Sequence, residues 1–176
     1  GRIVRSKRID HAIMALAIIR KQLPDAVLWI IGSGDDEQRL KSLAKKLGLE
    51  DSIIFHGYVS QERKAELLAR AHVMLFPGTR EGWGISVIES NLCRTPVIGY
   101  DIPGLRDSIK DGENGLLVKD GDIDAMAQAA KGLLEDPARL SRLSSASVES
   151  AKRFSWERSA KDILKISEEV ISCRKK

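Results

Sequence analysis

Between Arg80 and Glu89 the sequence reads REGWGISVIE, so that two carboxylates, Glu81 and Glu89, bracket the glycines Gly82 and Gly84. Glycine lets the backbone approach a ligand with no Cβ in the way. The peptide N–H groups of such a turn, with the start of a following helix, form an anion site. A carboxylate beside a bound phosphate would repel it, so Glu81 and Glu89 are expected to face something else. Carboxylates are good bidentate acceptors for sugar hydroxyls. A donor with a sugar on one side of a diphosphate and a ribose on the other needs two of them, and the Glu-x7-Glu spacing can supply one on either flank of the helix start. The plainer alternative is a Gly-rich turn followed by a solvated glutamate on an amphipathic helix.

A second group of residues opens the chain as GRIVRSKR. Arg2 and Lys7 fall just before and just after the expected carboxyl end of a first strand. Arginine offers phosphate a planar fork and lysine a mobile point charge. Together they could neutralise a diphosphate leaving group, which is the electrostatic task of a sugar transferase. An exposed basic strand end is the alternative. At the other terminus, Arg174, Lys175 and Lys176 read as a frayed, solvated end.

Other segments bear on a site less directly. Tyr58 and Val59 follow a strand that ends at Gly57, where backbone groups could read a base edge or simply make a turn. Trp83, between the two glycines, reads equally as a lid or as a packing residue. Gly32-Ser33-Gly34 begins like a dinucleotide fingerprint, but Glu37 stands where the third glycine would fall, which leaves a tight strand-to-helix turn. Asn114-Gly115 and Pro103-Gly104 read as structural loops. The sequence has no GxxxxGK[ST] and no GxSxG. His11, His56 and His72 lack metal-ligand spacing.

The elements that must position these residues alternate along the chain. Ala26–Gly32, Ile53–Phe55, Val73–Phe76, Pro96–Gly99 and Gly115–Val118 read as buried strands, and Ile3–Val4 as the stump of another. Helical patterns separate them: one capped by Asp10, one opened by Asp35 and Asp36, Gln61–Arg70 capped by Ser60, Ile85–Leu92, Asp122–Leu134, a segment after Pro137, and Ser155–Ile171. Strands alternating with helices predict an α/β fold, a doubly wound parallel sheet of about six strands covered on both faces. Ligands in such sheets lie outside the carboxyl ends of the strands.

Composition is consistent with one soluble domain. The 176 residues are 43% hydrophobic and 31% charged, and a formal charge of +4 is too mild to imply nucleic acid. Cys93 and Cys173 form no CxxC pair and read as buried or idle thiols of a reducing compartment. No stretch approaches the ~18 apolar residues of a membrane span. The chain opens at Gly1 without an initiating Met, so an upstream segment is expected.

Taken in order, GRIVRSK, WIIGSGDDEQRLKSLAKKLGL, IIFHGYVS, REGWGISVIESNLCRTPVI, PGLRDSIKDGENGLLV and the late FSW resemble the C-terminal domain of the group 1 family of retaining glycosyltransferases, whose fold is called GT-B. The resemblance runs through nearly the whole chain. It implies a Rossmann-like half of a two-domain enzyme, with residues 1–176 as the nucleotide-sugar-binding domain and an acceptor domain upstream. It further implies transfer of a hexose, mannosyl or glucosyl, from a UDP- or GDP-linked donor to a glycan or lipid-linked acceptor, and no metal cofactor. Arg2 and Lys7 would bind the diphosphate and Glu81 the sugar hydroxyls. Gly82, Trp83, Gly84, Ile85 and Ser86 would hold sugar and phosphate, Glu89 the ribose, and Tyr58 and Val59 the base. The last helix would cross to the upstream domain. A cytoplasmic location, peripheral at a membrane where the acceptor is lipid-linked, and an inactive isolated domain go with this reading. Arg8 and Arg94 depart from the family by standing where glycine is common, and Trp83 by replacing a common phenylalanine. A nucleotide-sugar isomerase or hydrolase of the same fold, and a non-catalytic module, are the competing readings.

Overall fold

The computed structural model describes residues 1–173, and the basic run Arg174–Lys176 lies outside the described residues. A 3-10 turn at Arg5–Lys7 leads into α1 (Ile9–Ile19). The remainder alternates as expected: β1 (Leu28–Ile31), α2 (Glu37–Lys46), β2 (Ile53–Gly57), α3 (Gln61–Arg70), β3 (Met74–Phe76), α4 (Ile85–Leu92), β4 (Val97–Tyr100), α5 (Pro103–Ser108), β5 (Gly115–Val118), α6 (Ile123–Leu134), α7 (Pro137–Ala151) and α8 (Trp156–Cys173). All strand pairs are parallel, so the fold is α/β with parallel sheets.

The strand count is a correction. Among the described residues five strands form, in two sheets ordered β1-β2 and β3-β4-β5. Ile3–Val4 is not a strand. Ile3 instead bonds to the turn after β1, its N–H to the Ser33 carbonyl at 2.9 Å and its carbonyl to the Asp36 N–H at 3.2 Å. The next residues bend at once into the 3-10 turn, where Lys7 and Arg8 bond back to Val4 and Arg5.

Two apolar clusters hold the layers together. Ile3, Ile13, Leu16, Ile30, Leu40 and Ile53 form the core under β1 and β2. Tyr100, Leu105, Ile109, Met126 and Leu133 lie in the core around β4, which is buried throughout. The helix α1 feeds both, with Ile13 and Leu16 in one and Ala15 and Ile19 in the other. Burying large side chains of this kind contributes about 1.5–3 kcal/mol each. A cavity of about 740 Å³ lies between the sheets, lined by Leu28–Ile31 on one side and Val73–Phe76 on the other.

Helix ends follow the sequence in part. Ser60, Asp122 and Asp136 accept N-cap bonds from Arg63, Ala125 and Arg139. Asp10 is not a cap: the N-cap of α1 is Arg8, and Asp10 instead accepts from Arg39 at 3.0 Å. Asp36 stands at the N-cap of α2 without a side-chain cap bond, because both its oxygens take Arg39 at 2.6 Å. Pro103-Gly104 is not a loop but the first turn of α5, where the fixed φ of proline suits position N1. The side chains of α8 are exposed from Trp156 to Ser172, including Ile163, Leu164, Val170 and Ile171.

Candidate functional site

The site lies at the carboxyl ends of β1, β3 and β4, where a basic turn meets a glycine-rich loop. Thr79 joins the two. Its N–H donates to the Ser6 carbonyl at 3.0 Å and its hydroxyl to the same oxygen at 3.2 Å. Lys7 is thereby brought to the loop, its ammonium paired with the Glu81 carboxylate and 5.5 Å from the Phe76 ring centroid. The turn is itself anchored by Asp36, a buried carboxylate that pairs with Arg39 and, at 3.0 Å, with Arg5. The Arg39 bonds hold the Asp36 carboxyl below its ordinary pKa, against the opposing effect of burial.

Two glycines set the shape of the loop. Gly84 is the N-cap of α4 in the left-handed region, φ 77°. A Cβ there would lie 3.0 Å from Ser108 Oγ and 3.1 Å from Leu105 Cδ2. Gly104, in α5, presses backbone to backbone on the loop, and a Cβ at that position would collide with the Glu81 carbonyl. No side chain caps α4, so its first N–H groups remain open to a ligand. A second cavity of about 430 Å³ follows the loop, lined by Thr79–Gly82 and Ile102–Gly104.

The charged mouth of the larger cavity carries Arg2, Lys7, Lys64, Ser86 and Glu89. Sequence reading missed Lys64, a residue of α3 whose ammonium donates to Glu89 Oε1 at 2.7 Å. Each loop carboxylate is thus matched by a lysine from another element, Glu81 by Lys7 and Glu89 by Lys64. The pattern of α3 alone gives no signal for this, since a lysine on an amphipathic helix reads as a solvated side chain.

The other expected residues are placed as follows. Arg2 is exposed at the same mouth. Gly82 is exposed with open space around it. Trp83 packs edge-on against Phe154, with ring centroids 4.7 Å apart and planes at 78°, which makes it a packing residue of this loop. Ile85 is exposed on the first turn of α4. Tyr58 and Val59 follow β2, Tyr58 87% exposed, and neither lines the cavity that carries Lys7 and Glu89.

Both departures from glycine lie at left-handed positions. Arg8 has φ 45° and Arg94 φ 65°, the only non-glycine residues with positive φ among the described residues. Arg8 is held there by Asp120 at 2.6 Å and lies 5.9 Å from the Tyr100 ring centroid. The Tyr100 hydroxyl meets His11 Nδ1 at 2.7 Å. Burial pushes the phenol up to about 12 and lowers the imidazole.

Cys93 is a free, half-buried thiol whose pKa burial raises. Among the described residues there is no His/Cys/Asp/Glu cluster able to hold a metal ion, and no helix is long and apolar enough to cross a membrane.

Comparison with known proteins adds sequence and structural relatives. A family model described as "Glycosyl transferases group 1" matches residues 1–150. A putative glycosyltransferase EpsD of Bacillus subtilis is 33% identical over 161 residues, which cover 92% of this chain and 42% of that protein. A D-inositol 3-phosphate glycosyltransferase of Acidothermus cellulolyticus is 34% identical, with coverage of 80% and 31%. The chain therefore spans less than half the length of these curated relatives. Among solved structures, sucrose-phosphate synthase from Thermosynechococcus elongatus superposes with a TM-score of 0.87 at 29% identity, covering 98% of this chain and 44% of that one. The pneumococcal O-GlcNAc transferase GtfA in complex with UDP and GlcNAc gives 0.85 at 27%, covering 97% and 34%.

Proposed function

The chain belongs to the group 1 glycosyl transferases, and from that premise we propose that it is the donor-binding domain of a retaining hexosyltransferase. The observation that carries this reading is the paired arrangement of Lys7 with Glu81 and Lys64 with Glu89 on either side of the uncapped start of α4. It puts anion-binding N–H groups between two hydroxyl acceptors, at the strand ends where α/β sheets take ligands.

In this reading Arg2, Lys7 and the α4 N-terminus take the diphosphate of a UDP- or GDP-linked sugar. Glu81 accepts from the sugar hydroxyls and Glu89 from the ribose. The loop from Gly82 to Ser86 holds sugar and phosphate by its backbone, and the turn at Tyr58 and Val59 lies toward the base. Departure of the diphosphate with its charge neutralised lets the acceptor attack from the same face, so the anomeric configuration is kept. Each preorganised donor of this type contributes ~3 kcal/mol to such a step. The acceptor, a glycan or a lipid-linked sugar, is held by a further domain against which the exposed apolar side of α8 rests. The domain alone binds donor weakly and transfers nothing. Relatives support the donor class, since the pneumococcal transferase is described with UDP and GlcNAc.

The test is thermal unfolding of the full-length protein with UDP, GDP and ADP and their sugar conjugates, with Glu89→Ala alongside. A nucleotide at 100 times its dissociation constant adds about 2.7 kcal/mol of stability. Stabilisation by one base, reduced in the variant, is the expected result. Absence of any shift with the full-length protein at millimolar nucleotide would instead indicate a non-catalytic module. Consumption of donor without acceptor would indicate a hydrolase or isomerase.

A further inference from the structure

The charges at the cavity mouth nearly cancel before anything binds. Three cations, Arg2, Lys7 and Lys64, meet two carboxylates, Glu81 and Glu89. Both carboxylates already have a partner, Glu81 in Lys7 and Glu89 in Lys64. A diphosphate that takes the Lys7 ammonium therefore takes it away from Glu81. The fate of Glu81 then depends on whether its carboxylate can withdraw and on what else the ligand carries.

The backbone of Glu81 is held on two sides. Gly104 of α5 lies so close to the Glu81 carbonyl that a Cβ on Gly104 would collide with it. Two residues upstream, Thr79 is tied to the Ser6 carbonyl through its N–H at 3.0 Å and its hydroxyl at 3.2 Å. The Glu81 side chain is only 17% exposed, against 34% for Lys7. Lys7 is the movable partner. Its stem passes Gly78, where a Cβ would lie 3.8 Å from Lys7 Cδ, and its ammonium is a point charge on a flexible four-carbon chain. Exchange thus moves the cation and leaves the anion where it was.

The two lysine–glutamate pairs then behave differently. Ribose hydroxyls are present in a nucleoside diphosphate and in its sugar conjugate alike, so Glu89 meets donors with either ligand. Glu89 also keeps Lys64 on one oxygen, at 2.7 Å. Sugar hydroxyls are present only in the conjugate. With the conjugate, Glu81 exchanges an ammonium for hydroxyl donors. With the bare diphosphate it loses the ammonium, gains no donor, and faces an anion that carries one more ionisable oxygen. Like charges brought together in this way act against the wrong ligand.

We propose, on the basis of the donor-site reading above, that Glu81 and its pair with Lys7 set the site against the bare nucleoside diphosphate and in favour of the sugar-bearing donor. One carboxylate serves twice, as a hydroxyl acceptor for the substrate and as a fixed negative charge against the nucleotide product. The pair closes the empty site, opens to the donor, and forms again as the product leaves.

Titration calorimetry on the full-length protein reads the two carboxylates separately. The ligands are UDP, GDP and ADP, with UDP-glucose, GDP-mannose and ADP-glucose as conjugates, and the variants are Glu81→Gln and Glu89→Gln. Glutamine keeps the size of the side chain and removes its charge. For the nucleotide that the parent binds, Glu81→Gln is expected to tighten the bare diphosphate about tenfold, because a like charge is gone and Lys7 is released. Glu89→Gln should weaken the same ligand about fivefold to tenfold, having lost a charge-assisted bond to the ribose. The gain in Glu81→Gln should be absent with the matching conjugate. A Glu81→Gln variant that binds the bare diphosphate no tighter than the parent overturns the proposal, and so does a gain of equal size for the conjugate. A parent that binds none of the three diphosphates overturns the donor-site reading itself, and the proposal with it.

Discussion

Lys64 on α3 and Glu89 on α4 meet at 2.7 Å, so the position of a carboxylate at the cavity mouth is set by a neighbouring helix. The bond occupies one Glu89 oxygen and leaves the other free. Lys64→Met is expected to weaken binding of the donor nucleotide about fivefold to tenfold, ~1–1.4 kcal/mol for a partly exposed charge-assisted bond. Lys64→Arg should retain most of the affinity. Titration calorimetry on the two variants and on Glu89→Gln completes a cycle in which the double variant costs less than the sum. Full additivity would show that Lys64 does not act through Glu89.

Gly104 and Gly82 should separate folding from binding. A methyl at Gly104 meets the Glu81 carbonyl, so Gly104→Ala displaces the loop and costs ~1–3 kcal/mol by overpacking. Gly82 has open space, and Gly82→Ala should leave stability within ~0.5 kcal/mol while lowering nucleotide affinity. Denaturant midpoints and nucleotide titrations read the two effects independently. Equal midpoints for the two variants would contradict the close backbone approach.

Arg8 and Arg94 predict opposite balances for one kind of change. Holding an L residue in the left-handed region costs ~1–2 kcal/mol, and glycine avoids it. Arg94 is exposed and makes only a 3.3 Å bond to Ser145, so Arg94→Gly should stabilise the fold by about 1 kcal/mol. Arg8→Gly gives up the Asp120 pair and the Tyr100 contact, each worth ~0.5–1 kcal/mol, and should come out near neutral. Urea midpoints on the two variants settle the ranking.

Acid should loosen the anchor of the basic turn. Asp36 has its pKa lowered by Arg39, so its contribution is complete above the unfolded carboxyl value of ~3.9 and is lost as pH falls through the lower folded value. Asp36→Asn should cost about 1–2 kcal/mol at pH 7. The stability curves of the variant and the parent should converge below pH ~4. Parallel curves down to pH 2 would show that the carboxylate is not coupled to folding.

Much of this arrangement was legible in the chain. Continuous apolar runs fixed β1 and β4, because buried parallel strands need no alternation. The Gly82 and Gly84 pair marked the loop, whereas the left-handed backbone at Arg8 and Arg94, noted in the chain only as departures from a common glycine, came from the structure. What stayed hidden depends on distance in space. Nothing in α3 says which of its polar residues faces α4, so Lys64 was missed. Asp36 read as a cap, though Arg39 and Arg5 compete for its oxygens. Ile3–Val4 read as a strand from two β-branched residues, which cannot show that the chain bends at Arg5.

The edge-on contact between Trp83 and Phe154 has an optical consequence. It ties the loop to the segment that leads into α8, so the two travel together or the rings separate. An indole leaving a protein ring for water shifts its emission to the red. Trp29 is in β1 and Trp156 is already 90% exposed, so replacing Trp156 with Phe leaves Trp83 as the fluorophore of this loop. The molecule thus carries its own dye at the junction between the glycine-rich loop and the segment that leads into α8.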